Sequence, residues 1–519
     1  MSGRRYVLAL SVITALGGFA RLAHYDLPTS FDEEMYIEAA KKLSNADVPP
    51  VPPQYSSRIG WLWTLNAWNH VWGPTLCSGA ALGLLFSIAT IPLTAAIAKR
   101  VFGPAAALLA AGIVAVYYLD VLHQPRIWPD GEACVVMLSS VYLFLRFMES
   151  RRRGSLIASA LLAGLLFAIK EYYILIAVAY AAEIVLPGPK PSNNSSAKLT
   201  MVNRLIELGQ LCLCVGIGIS VNPLLHALSS TNAASILNGD NLADYAEHVL
   251  QRGGTSLYAI LGKRFAYFRF LLLENGVIGG VLLAVGATYL CMMSRRRADY
   301  RLLALIGVGF FVFLSMMPAS IRPLVFVETA PRYTVVFIPF LSIGAGAAIA
   351  TAMSRLQGDR TMLVCAWTAL VFAAAINLWL PNYRYKPGSP PPIAKAVNDC
   401  IQNQGHLGFT EMVLPYDLWQ AKVSEQFFDK KVRLLNADRP TTESPSQYGE
   451  IAELLKQNRT AAVFVPLGLE DDPTIKDLEC RGEFRKTTVM LPGSSINVWL
   501  SVIGRGHADT PAAYLFLRK

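Results

Sequence analysis

The sequence predicts an all-α polytopic membrane bundle of about eleven transmembrane helices, followed by a small α/β domain outside the bilayer. Three observations predict it. Of 519 residues, 53% are hydrophobic and only 16% charged, against about 25% charged in soluble domains. The apolar residues gather into runs close to the roughly 20 that a helix needs to cross a bilayer. Short basic clusters separate many of these runs, as the positive-inside rule requires of loops on the cytoplasmic side.

The runs lie near 6–24, 76–98, 104–122, 131–148, 155–169, 172–187, 205–226, 274–294, 301–318, 333–353 and 362–380. The first continues past Ala20 to His24 without a small-residue cleavage site, so it reads as a retained helix. The pair at 155–187 is either two short spans with a tight surface turn at Lys170-Glu171, or one long helix. With the N-terminus in the cytoplasm, two spans place every basic loop inside: Lys99-Arg100, Arg151 to Arg153, Lys190 with Lys198 and Arg204, Arg295 to Arg297, and Arg355 with Arg360. The longest connections, 25–75 and 227–273, then face outward.

The division is thus 1–381 as the membrane domain and 382–519 as a soluble extracytoplasmic domain, after a hinge rich in proline (Pro387, Pro390, Pro391, Pro392). In the tail, Ile451 to Gln457 reads as a helix, and Thr460 to Val465 and Ile496 to Ile503 read as strands. Cys400 and Cys480 fall in this tail and can pair if it lies outside the membrane. The other cysteines include Cys212 and Cys214 in an apolar run, where they read as small buried hydrophobes. The net charge of +10 is dispersed among loops. That distribution argues against a nucleic-acid face. The bilayer is the partner that composition demands.

The first outer loop is the most informative segment. Residues Ser30-Phe31-Asp32-Glu33-Glu34-Met35-Tyr36 open a helix, with Ser30 and Glu33 spaced as a capping box. Phe31, Met35, Ala39 and Leu43 form an apolar stripe suited to the membrane surface. Asp32 and Tyr36 share another face. The acids can simply cap the helix and favour its dipole, or Asp32 can point into a cavity at the lipid–water boundary.

This segment resembles the Asp-Glu-x-x-Tyr element that follows the first helix in membrane glycosyltransferases of the GT-C class. The resemblance is nearest to protein O-mannosyltransferases and lipid A aminoarabinose transferases, and covers roughly the first 380 residues as architecture. It implies a GT-C-like fold and an enzyme that moves a sugar from a polyprenyl-phosphate donor to a glycan, lipid or protein acceptor at the outer face of the plasma (inner) membrane. It implies that Asp32 is the base that deprotonates the acceptor, that Glu33 is the adjacent acid and that Tyr36 positions substrate. Two departures stand out. Met35 replaces the arginine usual before that tyrosine, and the loop from Pro49 to Arg58 lacks the Lys-Pro-Pro element of the aminoarabinose enzymes, with Arg58 available as a replacement cation.

Other outer residues suit the same chemistry. Arg126 and Asp130 lie four apart, so either they pair with each other or Arg126 binds the lipid phosphate and Asp130 the sugar or acceptor. Lys170 either snorkels or faces the phosphate. Arg332-Tyr333, entering a late span, resembles the family's Arg-Tyr helix start and is a further phosphate candidate, with Arg322 in reserve. Asp120 and His123 read as structural. Trp61, Trp63, Trp68, Trp72 and Trp128 read mostly as an interface belt.

A sugar–phosphate–lipid carries its own leaving group. It needs cations for the phosphate and one carboxylate for the acceptor proton. One displacement implies inversion at the anomeric carbon. No cofactor is expected, although Asp32, Glu33 and Asp130 together offer oxygens to a divalent cation. Two other readings share the span count: a flippase or transporter of lipid-linked sugars, and an oligosaccharide ligase. The absence of a visible internal repeat weighs against the transporter.

Overall fold

The computed structural model describes residues 3–23, 31–44, 55, 58–186, 201–229, 276–316, 318–321, 324–326 and 331–355, and five strands between 411 and 518. Chain contacts divide it into two units, one of residues 1–25 and 35–379, the other of residues 26–34 and 380–519.

The first unit is helical. Helix α1 covers Gly3–Ala23 and α2 covers Phe31–Ser44. Then come α3 (Ile59–Trp72), α4 (Leu76–Phe102), α5 (Pro104–Val116), the short α6 (Tyr118–His123) and α7 (Pro129–Ser150). Helix α8 (Arg153–Ile169) leads through a 3₁₀ turn, Glu171–Leu175, into α9 (Ile176–Val185). Helices α10 (Met201–Leu228), α11 (Gly276–Met293) and α12 (Ala298–Met316) follow. A small antiparallel pair, β1 (Pro318–Ile321) with β2 (Leu324–Phe326), and a 3₁₀ turn at Pro331–Val336 precede α13 (Ile338–Arg355).

Six of these helices are long and apolar enough to cross a membrane: α1, α4, α7, α10, α12 and α13. Three shorter apolar helices, α5, α8 and α11, stand among them. Ten of the eleven expected runs fall on helices. The eleventh, 362–380, lies outside the described residues.

Local chemistry explains the breaks. Gly103, at φ +91°, closes α4, and Pro104 opens α5 at a position where its missing N–H costs nothing. Thr75 caps α4 by accepting from the Ser78 N–H at 3.1 Å. Trp128 is extended and Pro129 starts α7. Lys170 is also extended, at φ −163° and ψ 114°, and ends α8. It is buried inside protein at 1% exposure, which corrects the expectation of a surface turn.

The direction of each helix follows from contacts at its ends. Lys99 lies 4.1 Å over the Tyr6 ring, joining the end of α4 to the start of α1. Arg100 pairs with Glu149 at 2.6 Å, and Arg151 with Glu207 at 3.4 Å. Arg301 makes a two-pronged bond to Glu183, both at 2.7 Å. The ends of α4, α7 and α9 and the starts of α1, α8, α10 and α12 therefore gather at one basic end. Helix α9 thus runs back against α8, so the break at Lys170 reverses the chain.

Close packing supplies the cohesion that lipid exclusion cannot. A Cβ on Gly164 would meet the Val215 carbonyl at 2.3 Å, and one on Gly218 the Leu161 carbonyl at 2.6 Å. Helices α8 and α10 therefore cross backbone to backbone. Apolar side chains such as Leu8, Leu16 and Phe19 of α1 and Leu213 of α10 are exposed and suit contact with lipid tails.

At the opposite end a buried polar clamp ties four helices. Arg21, fully buried, pairs with Asp120. It also donates to Ser87 Oγ at 2.5 Å and to the carbonyls of Gly17, Ala115 and Val114 at 3.0–3.2 Å. Every guanidinium nitrogen is engaged, as burial in an apolar bundle demands. The Gln124 amide, oriented with nitrogen toward them, donates to Asp120 and Ser87. Asp120 is thus structural, as expected.

Two segments of the first loop differ from expectation. Helix α2 buries Tyr36, Ile37, Ala39 and Ala40, a face rotated from the Phe31–Met35–Ala39–Leu43 stripe. Protein covers it: Gly79 of α4 leaves room for Ile37 and Ile127, which would lie 2.7 and 3.0 Å from an added Cβ. Helix α3 was not expected at all. Its buried Trp61 packs beside Phe86 at 6.3 Å rather than in an interface belt.

The second unit contains a five-stranded mixed sheet of order β4-β3-β5-β7-β6, formed by β3 (Glu411–Pro415), β4 (Lys431–Leu435), β5 (Thr460–Pro466), β6 (Phe484–Pro492) and β7 (Asp509–Arg518). Strands β4, β3 and β5 are parallel, whereas β7 is antiparallel to β5 and β6. Strand β5 falls on the expected Thr460–Val465 segment. The segments 451–457 and 496–503, Cys400 and Cys480 lie outside the described residues.

Breaking the polar clamp should cost much more than replacing it. Arg21→Met is expected to destabilise the bundle by about 3–5 kcal/mol, because Asp120 is left buried without its cation. Arg21→Met combined with Asp120→Leu should be markedly milder. Thermal unfolding in detergent measures both, and a double variant no more stable than the single one contradicts the account.

Candidate functional site

The end of the bundle away from the basic loops collects the charged residues that the sequence singled out. Its floor is an ion pair. The Lys170 ammonium donates to Asp130 Oδ1 at 2.5 Å, with both side chains almost fully buried. The Tyr173 hydroxyl donates to the same oxygen. Asp130 sits in the first turn of α7, where exposed N–H groups favour a carboxylate. Lys170 reaches it because the chain becomes extended there and then tightens into the 3₁₀ turn, with the Tyr173 N–H bonded to the Lys170 carbonyl at 3.1 Å. Asp130 therefore takes Lys170, forty residues away, as its ion-pair partner instead of Arg126.

The rim is aromatic and cationic. Lys170 lies 4.2 Å over the Tyr333 ring and 5.1 Å over Tyr172. The Arg332 guanidinium lies 5.0 Å over Trp128 and 5.4 Å over Tyr333. Trp128 also stacks on His123 at 5.8 Å. Cation–π contacts of this kind orient a guanidinium without neutralising it. Arg58, just before α3, lies within electrostatic reach of Tyr36, Glu171, Tyr333 and Tyr172. Its Nε is buried without a hydrogen-bond partner among the described residues. Tyr36 meets Tyr55 edge to face at 5.2 Å.

Lys170 and Asp130 are buried, whereas Arg58, Arg332 and Tyr333 are part-exposed. The cluster is thus a closed floor beneath an accessible rim. Among the described residues Arg58, Lys170 and Arg332 lie near Asp130 and Glu171, and Asp130 is already committed to Lys170 and Tyr173. Burial lowers the Lys170 ammonium from its ordinary value to about 7; Arg58 and Arg332 push the same way, and Asp130 opposes them. The His123 imidazole is also pushed down, first by burial and then by Arg126 and Arg332. An anion placed there would favour the charged form of Lys170.

An apolar groove of about 200 Å³ lies nearby. It runs between α9 and α12, past Leu175, Val178, Ala182, Leu305, Gly309 and Phe313. Its head is Leu175, two residues beyond Tyr173, whose ring lies 6.1 Å from Phe310.

Of the residues singled out, Arg58, Lys170, Arg332, Tyr333, Tyr36 and Asp130 come together. Arg126 flanks them, with its Nε donating to the Leu122 carbonyl at 3.3 Å. Asp32 is in the first turn of α2, with its side chain outside the described set. Glu33 is buried at 1% exposure. It belongs, like Asp32, to the second contact unit. Arg322 lies outside the described residues. Tyr172, Tyr173 and the Trp128 face were not assigned site roles; the repeated aromatics beside Lys170 were the available signal. Among the described residues, no group of three His, Cys, Asp or Glu side chains could hold a metal ion.

Comparison with known proteins bears on the fold. The family of dolichyl-phosphate-mannose-protein mannosyltransferases matches residues 57–206, which include α3 to α9 and hence Arg58, Asp130 and Lys170. No curated protein matches the chain. Among solved structures, ArnT from Cupriavidus metallidurans bound to undecaprenyl phosphate is similar at a TM-score of 0.56 and 14% identity, covering 99% of this chain and 98% of that one. The oligosaccharyltransferase of Archaeoglobus fulgidus, in complex with zinc and sulfate, is similar at a TM-score of 0.54 and 11% identity, covering 89% of this chain and 68% of that one. The fold is thus shared with these two solved structures over most of the chain, and residues 57–206 match the mannosyltransferase family.

Proposed function

We propose that the protein transfers a sugar from a polyprenyl-phosphate donor to a glycan, lipid or protein acceptor at the outer face of the membrane. The observation that carries this reading is the cationic, tyrosine-lined cluster around Lys170, at the end of the bundle opposite the basic loops. The positive-inside rule puts those loops, and with them the N-terminus, in the cytoplasm. The cluster then opens outward. ArnT, of the same fold, was solved with undecaprenyl phosphate, a ligand whose chemistry suits this cluster and its groove.

In this reading Arg58, Lys170 and Arg332 hold the donor phosphate, with Tyr333 beside it and Arg126 at the flank. Asp130 keeps Lys170 oriented. The groove between α9 and α12 takes the first isoprene units of the tail. Asp32 acts as the base, Glu33 supports it and Tyr36 helps place the substrate. The roles of Asp32 and Glu33 rest on the Asp-Glu-x-x-Tyr resemblance alone, and that of Tyr36 also on its lying within reach of Arg58.

The step balances as one displacement. The acceptor nucleophile forms a bond to the anomeric carbon and its proton passes to Asp32. The bond from that carbon to the phosphate oxygen breaks, and its electron pair leaves with the polyprenyl phosphate. Cations poised at the phosphate stabilise the charge that builds there.

Three outcomes test this reading. Asp32→Asn should lower the transfer rate by about 10²–10⁴-fold, the usual contribution of a general base, with donor affinity nearly unchanged. A variant as fast as wild type in a radiolabelled-donor assay removes Asp32 from the mechanism. The product should show inverted anomeric configuration by NMR, and retention contradicts single displacement. Finally, the donor phosphodiester keeps one negative charge across neutral pH, while the empty site loses the Lys170 proton as pH rises through about 7. Donor affinity should therefore be flat below that value and weaken above it by up to about tenfold per unit for one linked proton. Lys170→Arg should flatten the profile. A wild-type profile already flat from pH 6 to 9 contradicts the linkage.

A further inference from the structure

At the basic end of the bundle, arginines from different helices converge on one carboxylate, Glu207 of α10. Arg151, between α7 and α8, donates to Glu207 Oε2 at 3.4 Å. Arg153, which opens α8, and Arg204, three residues before Glu207, lie within electrostatic reach of the same carboxylate. Arg204 also donates at 2.9 Å to the carbonyl of Val185, the last residue of α9.

Helix packing sets this convergence. Helices α8 and α10 both start at this end and cross where Gly164 meets Gly218, with an added Cβ on Gly164 only 2.8 Å from the Gly218 backbone. Arg153 lies eleven residues before Gly164, and Glu207 eleven before Gly218. Eleven residues make about three turns, so both return to the faces that meet at the crossing. On α10, Glu207 continues the buried stripe of Leu211, Cys214 and Gly218, and Arg204 lies about one turn before it. Arg151 has φ +52° and is the one non-glycine residue in the left-handed region among the described residues. Glycine would adopt that backbone at lower cost, so an arginine is held there against the local preference.

The chemistry of this corner is one-sided. Segments 150–154 and 186–206 together hold six basic residues and no acid. Glu149 and Glu183, near the ends of α7 and α9, are committed elsewhere. Glu149 pairs with Arg100 at 2.6 Å, and Glu183 takes two bonds from Arg301 at 2.7 Å. Beside the arginines the same helices expose apolar side chains: Met201, Val202 and Leu205 of α10, Val185 of α9 and Ile157 of α8. Guanidinium groups next to lipid-facing apolar side chains suit a phospholipid, whose phosphate takes the charge while its acyl chains cover the apolar faces. A soluble phosphate or phosphopeptide would leave those faces uncovered.

We propose that Arg151, Arg153 and Arg204 form a binding site for the phosphate of an anionic phospholipid in the leaflet at the basic end, with Met201, Val202 and Leu205 receiving its acyl chains. Glu207 competes with that phosphate for the same guanidinium groups. The site lies at the opposite end of the bundle from the Lys170 cluster, and it stands whether or not that cluster binds a polyprenyl phosphate.

Native mass spectrometry of the full-length protein in detergent, titrated with phosphatidylglycerol or phosphatidylcholine, tests this. Wild type should bind phosphatidylglycerol about tenfold more tightly than phosphatidylcholine. Arg153→Gln with Arg204→Gln should weaken phosphatidylglycerol by about 25-fold, or about fivefold for each arginine, and leave phosphatidylcholine unchanged. Arg295→Gln with Arg296→Gln removes equal charge from another exposed turn at this end and should change binding by less than about twofold. Glu207→Gln should tighten phosphatidylglycerol by about fivefold, which loss of a merely structural ion pair would not do. Thermal unfolding checks that the variants fold, and Arg153→Gln alone carries the test if the double variant does not. Equal weakening by the two arginine pairs would mean diffuse surface charge, and the proposal fails. It fails as well if neither pair weakens binding, if phosphatidylcholine binds as tightly, or if Glu207→Gln does not tighten binding. Displacement of the lipid by free glycerol phosphate would make this a soluble-phosphate site and also overturn it.

Discussion

The Lys170–Asp130 pair is the constraint on which the rest of this site depends. Neither charge is tolerable alone at the end of an apolar bundle, and together they require good geometry and further hydrogen bonds. Tyr173 supplies one such bond. Meeting this requirement interrupts the chain between α8 and α9, since only an extended residue at 170 followed by a tight turn brings the ammonium onto the first turn of α7. The same interruption turns α9 back toward the basic end and places Tyr172 and Tyr173 beside Tyr333. One buried contact thus sets both the reversal of the chain and the aromatic wall of the site.

Around that pair the molecule separates its charges by function. At one end, arginines and lysines meet glutamates and tyrosine rings at helix ends, where water and headgroups can share the work. At the other, Arg21 is saturated by Asp120, Ser87 and three carbonyls, so it has no capacity left for a ligand. Lys170 is paired with Asp130 and, like Arg332, also lies over aromatic faces, which orient a cation without bonding to it.

Much of the bundle was legible because hydropathy and basic loops are read locally. Each run from 6–24 to 333–353 falls on a helix, and the orientation of the ends follows the basic clusters. Helix α3 was missed because Trp61, Thr64, Asn66, Asn69 and His70 dilute its apolar pattern, and because 14 residues are too few to span. Arg21 was passed over as the tail of an apolar run; its partner is 99 residues away. For Asp130 the sequence left two readings open, pairing with Arg126 or a separate role. Spacing of four suggested Arg126, and nothing local marks Lys170 as the true neighbour. The site residues were mostly nameable from sequence, whereas their pairings were tertiary facts.

The central claim is that the cations around Lys170 bind the phosphate of a polyprenyl carrier. A structure of the full chain in nanodiscs with undecaprenyl phosphate tests it most directly. The account predicts phosphate density in hydrogen-bond contact with Lys170 and with at least one of Arg58 and Arg332, and tail density entering the groove between Leu175 and Phe310. Phosphate density at the basic end, among Arg100, Arg151 and Arg297, with none at Lys170, would contradict it.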